Sequence, residues 1–120
     1  MRNLLRSQIM PMEQERVYEL VSRHVAHVLG LCRPEEIIVF GSAISGKFDA
    51  FSDVDLVLIF GDLGTAKAAS HALYATPGKP SSADYLCVDR QEFEQKSDSG
   101  GGFFVAKHDG RVVYRSSGQH

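Results

Sequence analysis

Two carboxylates one residue apart, inside a run of large apolar side chains, constrain this chain more than anything else in it. The run is Asp53-Val54-Asp55-Leu56-Val57-Leu58-Ile59-Phe60. Its length and branched side chains predict a strand over 53–60. Side chains of a strand alternate between faces, so Asp53 and Asp55 point the same way, their Cα atoms about 6.5–7 Å apart. Two ionised carboxylates on one face repel and raise each other's pKa unless a cation sits between them. Hard oxygen ligands at this spacing suit Mg²⁺ or Mn²⁺. A pair of this kind can bridge two such ions, about 3.5–4 Å apart. Val54, Leu56 and Leu58, out of phase with the acids, pack on the core and leave Asp53 and Asp55 facing a cleft.

Upstream, Glu35 to Phe40 reads as a short strand buried on both faces, and it stops at Gly41-Ser42. Gly41 lets the backbone approach a ligand closely. Ser42 is a favoured N-cap, and a helix N-terminus presents free N–H groups to phosphate. Ser42 to Lys47 is expected to form one or two helical turns and Phe48 to Ser52 a loop. A phosphate cradle therefore stands on one side of the loop and a metal-binding acid pair on the other.

Around this stretch the chain alternates helices and strands. Val17, Leu20, Val21, Val25, Val28 and Leu29 recur at three- and four-residue steps, a helix over 12–30 with Gly30 as C-cap. Pro11 marks its first turn. Thr65 to Tyr74 is an Ala-rich helix, with Asp62 or Thr65 near its start. Thr76 to Ser82 is a loop, Ala83 to Val88 a third strand, and Arg90 to Ser97 a short helix capped by Asp89. Ser99 to Gly102 reads as a flexible break, Phe103 to Lys107 as a helical turn or strand, His108 to Gly110 as a turn, and Arg111 to Arg115 as a last strand. The pattern implies an α/β or α+β fold, a small mixed sheet flanked by helices.

Gly-Ser, a short loop with a second glycine, then Ser-Asp-x-Asp-Leu resembles the nucleotidyltransferase superfamily with the DNA polymerase beta-like palm fold. Gly41, Ser42, Gly46, Ser52, Asp53, Asp55 and Leu56 carry that resemblance. The small size resembles the minimal nucleotidyltransferases, and so does the ending, Gln91-Glu92-Phe93-Glu94 followed by Asp109-Gly110-Arg111-Val112-Val113-Tyr114. The likeness runs from about Pro34 to Tyr114. It implies a third carboxylate on the neighbouring strand, which here is Asp84. It also implies phosphate binding by Gly41, Ser42 and Ser52, and two Mg²⁺ or Mn²⁺ ions held by Asp53, Asp55 and Asp84. The implied reaction is adenylyltransferase-like, moving AMP from ATP to a hydroxyl acceptor. The implied partner is a helical HEPN-type protein, as in toxin–antitoxin pairs, or a second copy of the chain. The minimal pattern has Arg before its second glycine, where this chain has Ser45. That departure leaves the metal pair intact but removes a cationic triphosphate contact from the loop. It leaves open an alternative in which the chain is a non-catalytic nucleotide-binding or antitoxin module acting by partner binding alone.

The remaining features exclude other classes. A chain of 120 residues is expected to be a single domain, residues 1–10 and 116–120 being loose termini. A net charge of −2 gives no support to direct binding of nucleic acid or of an anionic membrane. The N-terminus lacks a signal peptide's apolar region, no run is long enough to cross a membrane, and a cytoplasmic location is expected. Cys32 and Cys87 read as buried thiols. His24 and His27, with no third ligand nearby in sequence, read as a helix-surface pair. Lys47, Lys79 and Lys107 read as solvated lysines. The triple glycine lacks the Lys-Ser/Thr of a phosphate loop.

Overall fold

The computed structural model describes residues 12–116. Pro11, the expected loose segment 1–10 and residues 117–120 of the expected loose segment 116–120 lie outside the described residues; Ser116 is described, and its N–H bonds the Glu35 carbonyl at 2.8 Å. The elements run α1 (Gln14–Leu29), β1 (Glu36–Phe40), α2 (Ser42–Ser45), β2 (Val54–Phe60), α3 (Leu63–Ala75), β3 (Ala83–Asp89), α4 (Arg90–Ser97), α5 (Gly101–Asp109) and β4 (Arg111–Arg115). The expected α/β class with a small mixed sheet is therefore what the chain adopts. Caps set several boundaries. Asp62 accepts the Thr65 N–H at 2.7 Å to start α3, and Asp89 accepts the Glu92 N–H at 2.7 Å to start α4.

One four-stranded sheet runs in the order β3-β2-β1-β4. The β1 strand pairs antiparallel with β2 and β4, while β2 and β3 are parallel through the α3 crossover. Opposite Ile37 and Ile38 the β4 register slips past Val113, a bulge on the edge strand. Both faces of the sheet are covered. Val54, Leu56, Leu58 and Phe60 share one core with Val17, Val21 and Val28 of α1 and with Ala66, Ala69 and Leu73 of α3. Val57 and Ile59 share the other with Ile38, Phe40, Val88, Phe93 of α4 and Ala106 of α5. The strand period thus puts Asp53 and Asp55 on the α4–α5 side, beyond the end of that second core.

Three expectations are corrected. Ser99 to Gly102 is not simply a break, because α5 begins at Gly101, after Gly100 and Gly101 take left-handed φ values of 86° and 74°. The reason is packing: a Cβ on Gly102 would stand 3.6 Å from the Phe40 ring, and Ala106 is buried in the second core. His108 and Asp109 complete α5 instead of turning. His24 is not on a helix surface. It is fully buried, with Nδ1 2.5 Å from the Tyr85 hydroxyl and Nε2 2.9 Å from Ser81 Oγ. It lies on the same helical stripe as Val17, Val21 and Val28, so the face that buries them buries it too.

Far from the acids, Glu36 at the start of β1 is buried and holds two arginines. Arg90 Nη1 donates at 3.0 Å, and Arg115 donates at 3.1 Å and 2.8 Å. Burial alone would raise this carboxyl, but the Arg115 and Arg90 hydrogen bonds outweigh it and its pKa is lowered.

Two outcomes are expected. Burial, aided by His27 and Lys79, takes His24 from 6.5 down to about 4, so the folded protein holds a neutral imidazole. Between those values the unfolded chain binds the proton and the folded one does not. Stability is then full above pH 6.5 and falls as pH drops towards 4. Urea unfolding should lose roughly 2–4 kcal/mol across that window. His24→Gln should flatten it, leaving the Glu36 contribution, which is lost only as pH falls below that group's ordinary 4.5. Gly110→Ala should cost about 1–3 kcal/mol in the same measurement. Its Cβ would meet the Ala106 carbonyl oxygen at 2.3 Å and Ile38 Cγ2 at 2.6 Å, and neither has room to retreat.

Candidate active site

The site is built where β1 ends and β2 and β3 begin. The parallel register pairs Asp55 with Asp84, and the antiparallel register pairs Asp55 with Phe40, the last residue before the Gly-Ser turn. Asp53 precedes β2 by one residue and accepts a hydrogen bond from the Ser82 hydroxyl, which stands just before β3. Asp53 and Asp84 are exposed and Asp55 is half-buried. Burial raises the Asp55 carboxyl, and the charges of Asp84 and Asp53 raise it further. The three expected acids are therefore electrostatically in contact, and their repulsion falls on Asp55.

Gly41 shows why the turn needs glycine. Its φ is +77°, and a Cβ there would lie 2.5 Å from Asp55 Oδ2. The backbone of the turn rests on the carboxylate. Gly41, not Ser42, is the N-cap of α2, and no side chain caps it. Ser42 is the first residue of the turn, because Asp55 reserves the preceding position for a residue without a side chain. The N–H groups of Ile44 and Ser45 bond the Gly41 carbonyl at 3.0 Å and 3.1 Å, which leaves those of Ser42 and Ala43 outside the helical ladder. Ser52 sits in the loop before Asp53. Its hydroxyl accepts the Asp49 N–H at 3.1 Å and lies 3.2 Å from Asp49 Oδ1.

Several residues here were not singled out from sequence. Ser82 holds Asp53, and its only sequence signal is its place just before the third strand. A cavity of about 290 Å³ lies against Asp84, lined also by Ser70, Tyr74, Lys79 and Tyr85, and Tyr74 on its wall is 94% exposed. Another, about 260 Å³, touches α2 and none of the acids; Ser45, Gly46, Tyr18 and Arg111 line it. Arg111 therefore brings from β4 a cation that the loop lacks at Ser45. Of the other lysines considered, Lys107 pairs with Glu94 at 2.7 Å, and Lys79 donates to the Ala83 carbonyl at 3.1 Å. Asp89 is the α4 cap and takes no place among the three acids.

Among the described residues, no three His, Cys, Asp or Glu side chains close into a ready-made metal cage. The acids form an open row instead. Their chemistry still fits hard divalent cations: all-oxygen donors, a carboxyl raised by burial and by its neighbours' charge, and a backbone cradle at Gly41 that a Cβ would fill. Mg²⁺ commonly takes one or two carboxylates and completes its shell with waters and substrate phosphates.

The electrostatic contact has a direct check. Asp84→Asn removes the second cause of the Asp55 shift, so the Asp55 pKa should fall, while burial keeps it above 3.8. A carboxyl-carbon NMR titration of both proteins reads this, and an unmoved Asp55 would contradict the contact.

Comparison with known proteins agrees with this geometry. The model of the nucleotidyltransferase domain family matches residues 23–102. The fold is similar to the crystal structure of a "putative nucleotidyltransferase" from Sulfolobus solfataricus, with TM-score 0.52 and 20% identity over 85% of this chain and 83% of that one. No curated protein matches the chain significantly. The family model spans the Gly-Ser turn, both acidic strands and the crossover between them, and the chain belongs to the nucleotidyltransferase domain family, whose reaction is nucleotidyl transfer.

Proposed function

We propose that this chain moves AMP from ATP to a hydroxyl on a partner protein, using divalent cations held by Asp53, Asp55 and Asp84. The observation that carries the reading is the register that sets Asp55 beside Asp84 while its carboxylate lies against Gly41. Bound at these acids, Mg²⁺ or Mn²⁺ neutralises charge on the triphosphate and on the attacking oxygen. Ser42 and the N–H groups of Ser42 and Ala43 hold the β- and γ-phosphates. Ser52 shapes the loop that delivers Asp53. The acceptor oxygen attacks the α-phosphorus, the bond to the β-phosphate oxygen breaks, and pyrophosphate leaves. The acceptor's proton passes to Asp84, the acid bordering the 290 Å³ cavity.

That cavity and the uncovered Tyr74 ring support an acceptor approaching from the β3 edge. A protein of the HEPN type, paired with this chain as toxin with antitoxin in the cytoplasm, is the partner proposed; a second copy is the other candidate. Among the described residues, no helix is long and apolar enough to cross a membrane. Ser45, standing where the minimal pattern has Arg, supports a second reading in which the chain binds nucleotide or partner without turnover.

Incubation with α-labelled ATP, Mg²⁺ and the helical partner separates the two. Label should appear on the partner, and Asp53→Asn or Asp55→Asn should reduce it roughly 10²–10³-fold with the fold intact. Nucleotide binding with no label transferred, or full transfer by Asp53→Asn, would overturn the catalytic reading.

A further inference from the structure

The segment Ser81 to Tyr85 delivers two of the site's groups, Ser82 to Asp53 and Asp84 to Asp55. It is tied down residue by residue. Ser81 Oγ lies 2.9 Å from His24 Nε2, and the Tyr85 hydroxyl 2.5 Å from His24 Nδ1. The Ser82 carbonyl accepts the Val54 N–H at 3.1 Å, and the Ala83 carbonyl accepts Lys79 Nζ at 3.1 Å. The carboxylate of Asp84 is left exposed to the cleft.

The two ends of this segment meet on a single imidazole, fully buried beneath it on α1. Its hydrogen bonds have a direction. The Ser81 hydroxyl gives its proton to the Ser82 carbonyl at 3.4 Å, so it accepts from the ring, and Nδ1 is left to accept from the Tyr85 hydroxyl. Nε2 then carries the ring proton. The other titratable groups facing the ring are His27 on α1 and Lys79 from the loop. A buried histidine satisfied on both nitrogens does more here than fill space, because Ser81 and Tyr85 bracket Ser82 and Asp84.

We propose that His24 is a positioning residue for the carboxylate site: with Nδ1 occupied by the Tyr85 hydroxyl, its Nε2 holds Ser81, and through Ser81 it sets the neighbouring Ser82 against Asp53. The inference rests on the metal-binding role proposed above for the site's acids. Groups behind a metal ligand orient it, and their loss commonly weakens metal binding 10–100-fold.

Side-chain geometry separates the two arms of the imidazole. Gln places a nitrogen donor where Nε2 was and keeps the Ser81 bond. Asn places an oxygen acceptor where Nδ1 was and keeps only the Tyr85 bond. Mn²⁺ titration followed by electron paramagnetic resonance, on folded full-length protein, should show Ser81→Ala and His24→Asn each weakening binding about tenfold. His24→Gln should stay within about twofold of the parent. The Mg²⁺ concentration for half-maximal AMP transfer should move in the same order. A purely structural histidine would make the two substitutions alike and leave Ser81→Ala silent. Ser81→Ala needs no change in the core, so it keeps the test decisive if a His24 variant fails to fold. Parent-like Mn²⁺ binding by Ser81→Ala, or equal loss in both His24 variants, overturns the proposal. Failure of the parent protein to bind Mn²⁺ overturns the carboxylate reading itself, and this inference with it.

Discussion

Repulsion between Asp55 and Asp84, side by side on parallel strands, is the constraint that the rest of the structure must hold against. Two like charges at about 4 Å repel by roughly 1–4 kcal/mol in a surface-like dielectric. The same two strands supply the opposing force. Immediately beyond the acids, Val57, Ile59 and Val88 are buried beneath α4 and α5, each contributing roughly 1.5–3 kcal/mol. The apolar part of each strand thus holds its polar end in an unfavourable place. Burial first, and then the charges of Asp84 and Asp53, keep the Asp55 carboxyl raised.

The two ends of the sheet handle charge in opposite ways. At the start of β1, the buried Glu36 has two arginines and every reason to stay ionised. At the other end, Asp53, Asp55 and Asp84 take part in none of the ion pairs found among the described residues. A structural acid carries its counter-cations in the chain. Acids arranged for a ligand leave that place to what binds, and Gly41 keeps the space beside Asp55 open. Strained or unfavourable local choices of this kind belong at sites of function.

The strands and the two long helices were legible because their signals are local. Periodicity marked α1, the apolar runs marked β1 and β2, and Asp62 and Asp89 announced the helices they cap. Where the reading failed, the deciding partner was distant in sequence. Gly101 and Gly102 begin a helix because α5 lies on Phe40, which no local propensity records. Ser42 yields the cap to Gly41 because Asp55 presses on that position from the next strand. His24 shares a stripe with Val17, Val21 and Val28, a signal that was present; the hydroxyls of Ser81 and Tyr85 that make its burial tolerable lie some sixty residues away.

By itself the sequence determined the class of chemistry. A Gly-Ser turn followed by two acids on one strand face is a short-range pattern, and strand alternation alone sets the acids on a common side. It also determined which side chains are apolar enough to bury a sheet on both faces. The resemblance named Asp84 as a third acid, but its place directly beside Asp55 was decided by the tertiary structure, through the parallel register of β2 and β3 after the α3 crossover. Tertiary structure likewise decided that Ser82 supports Asp53, that Arg111 of β4 lines the cavity beside Ser45 and Gly46, and that His24 underlies the segment between. Each depends on pairing between elements, and pairing is set by how two faces of a sheet can be covered at once, which no single stretch of chain contains.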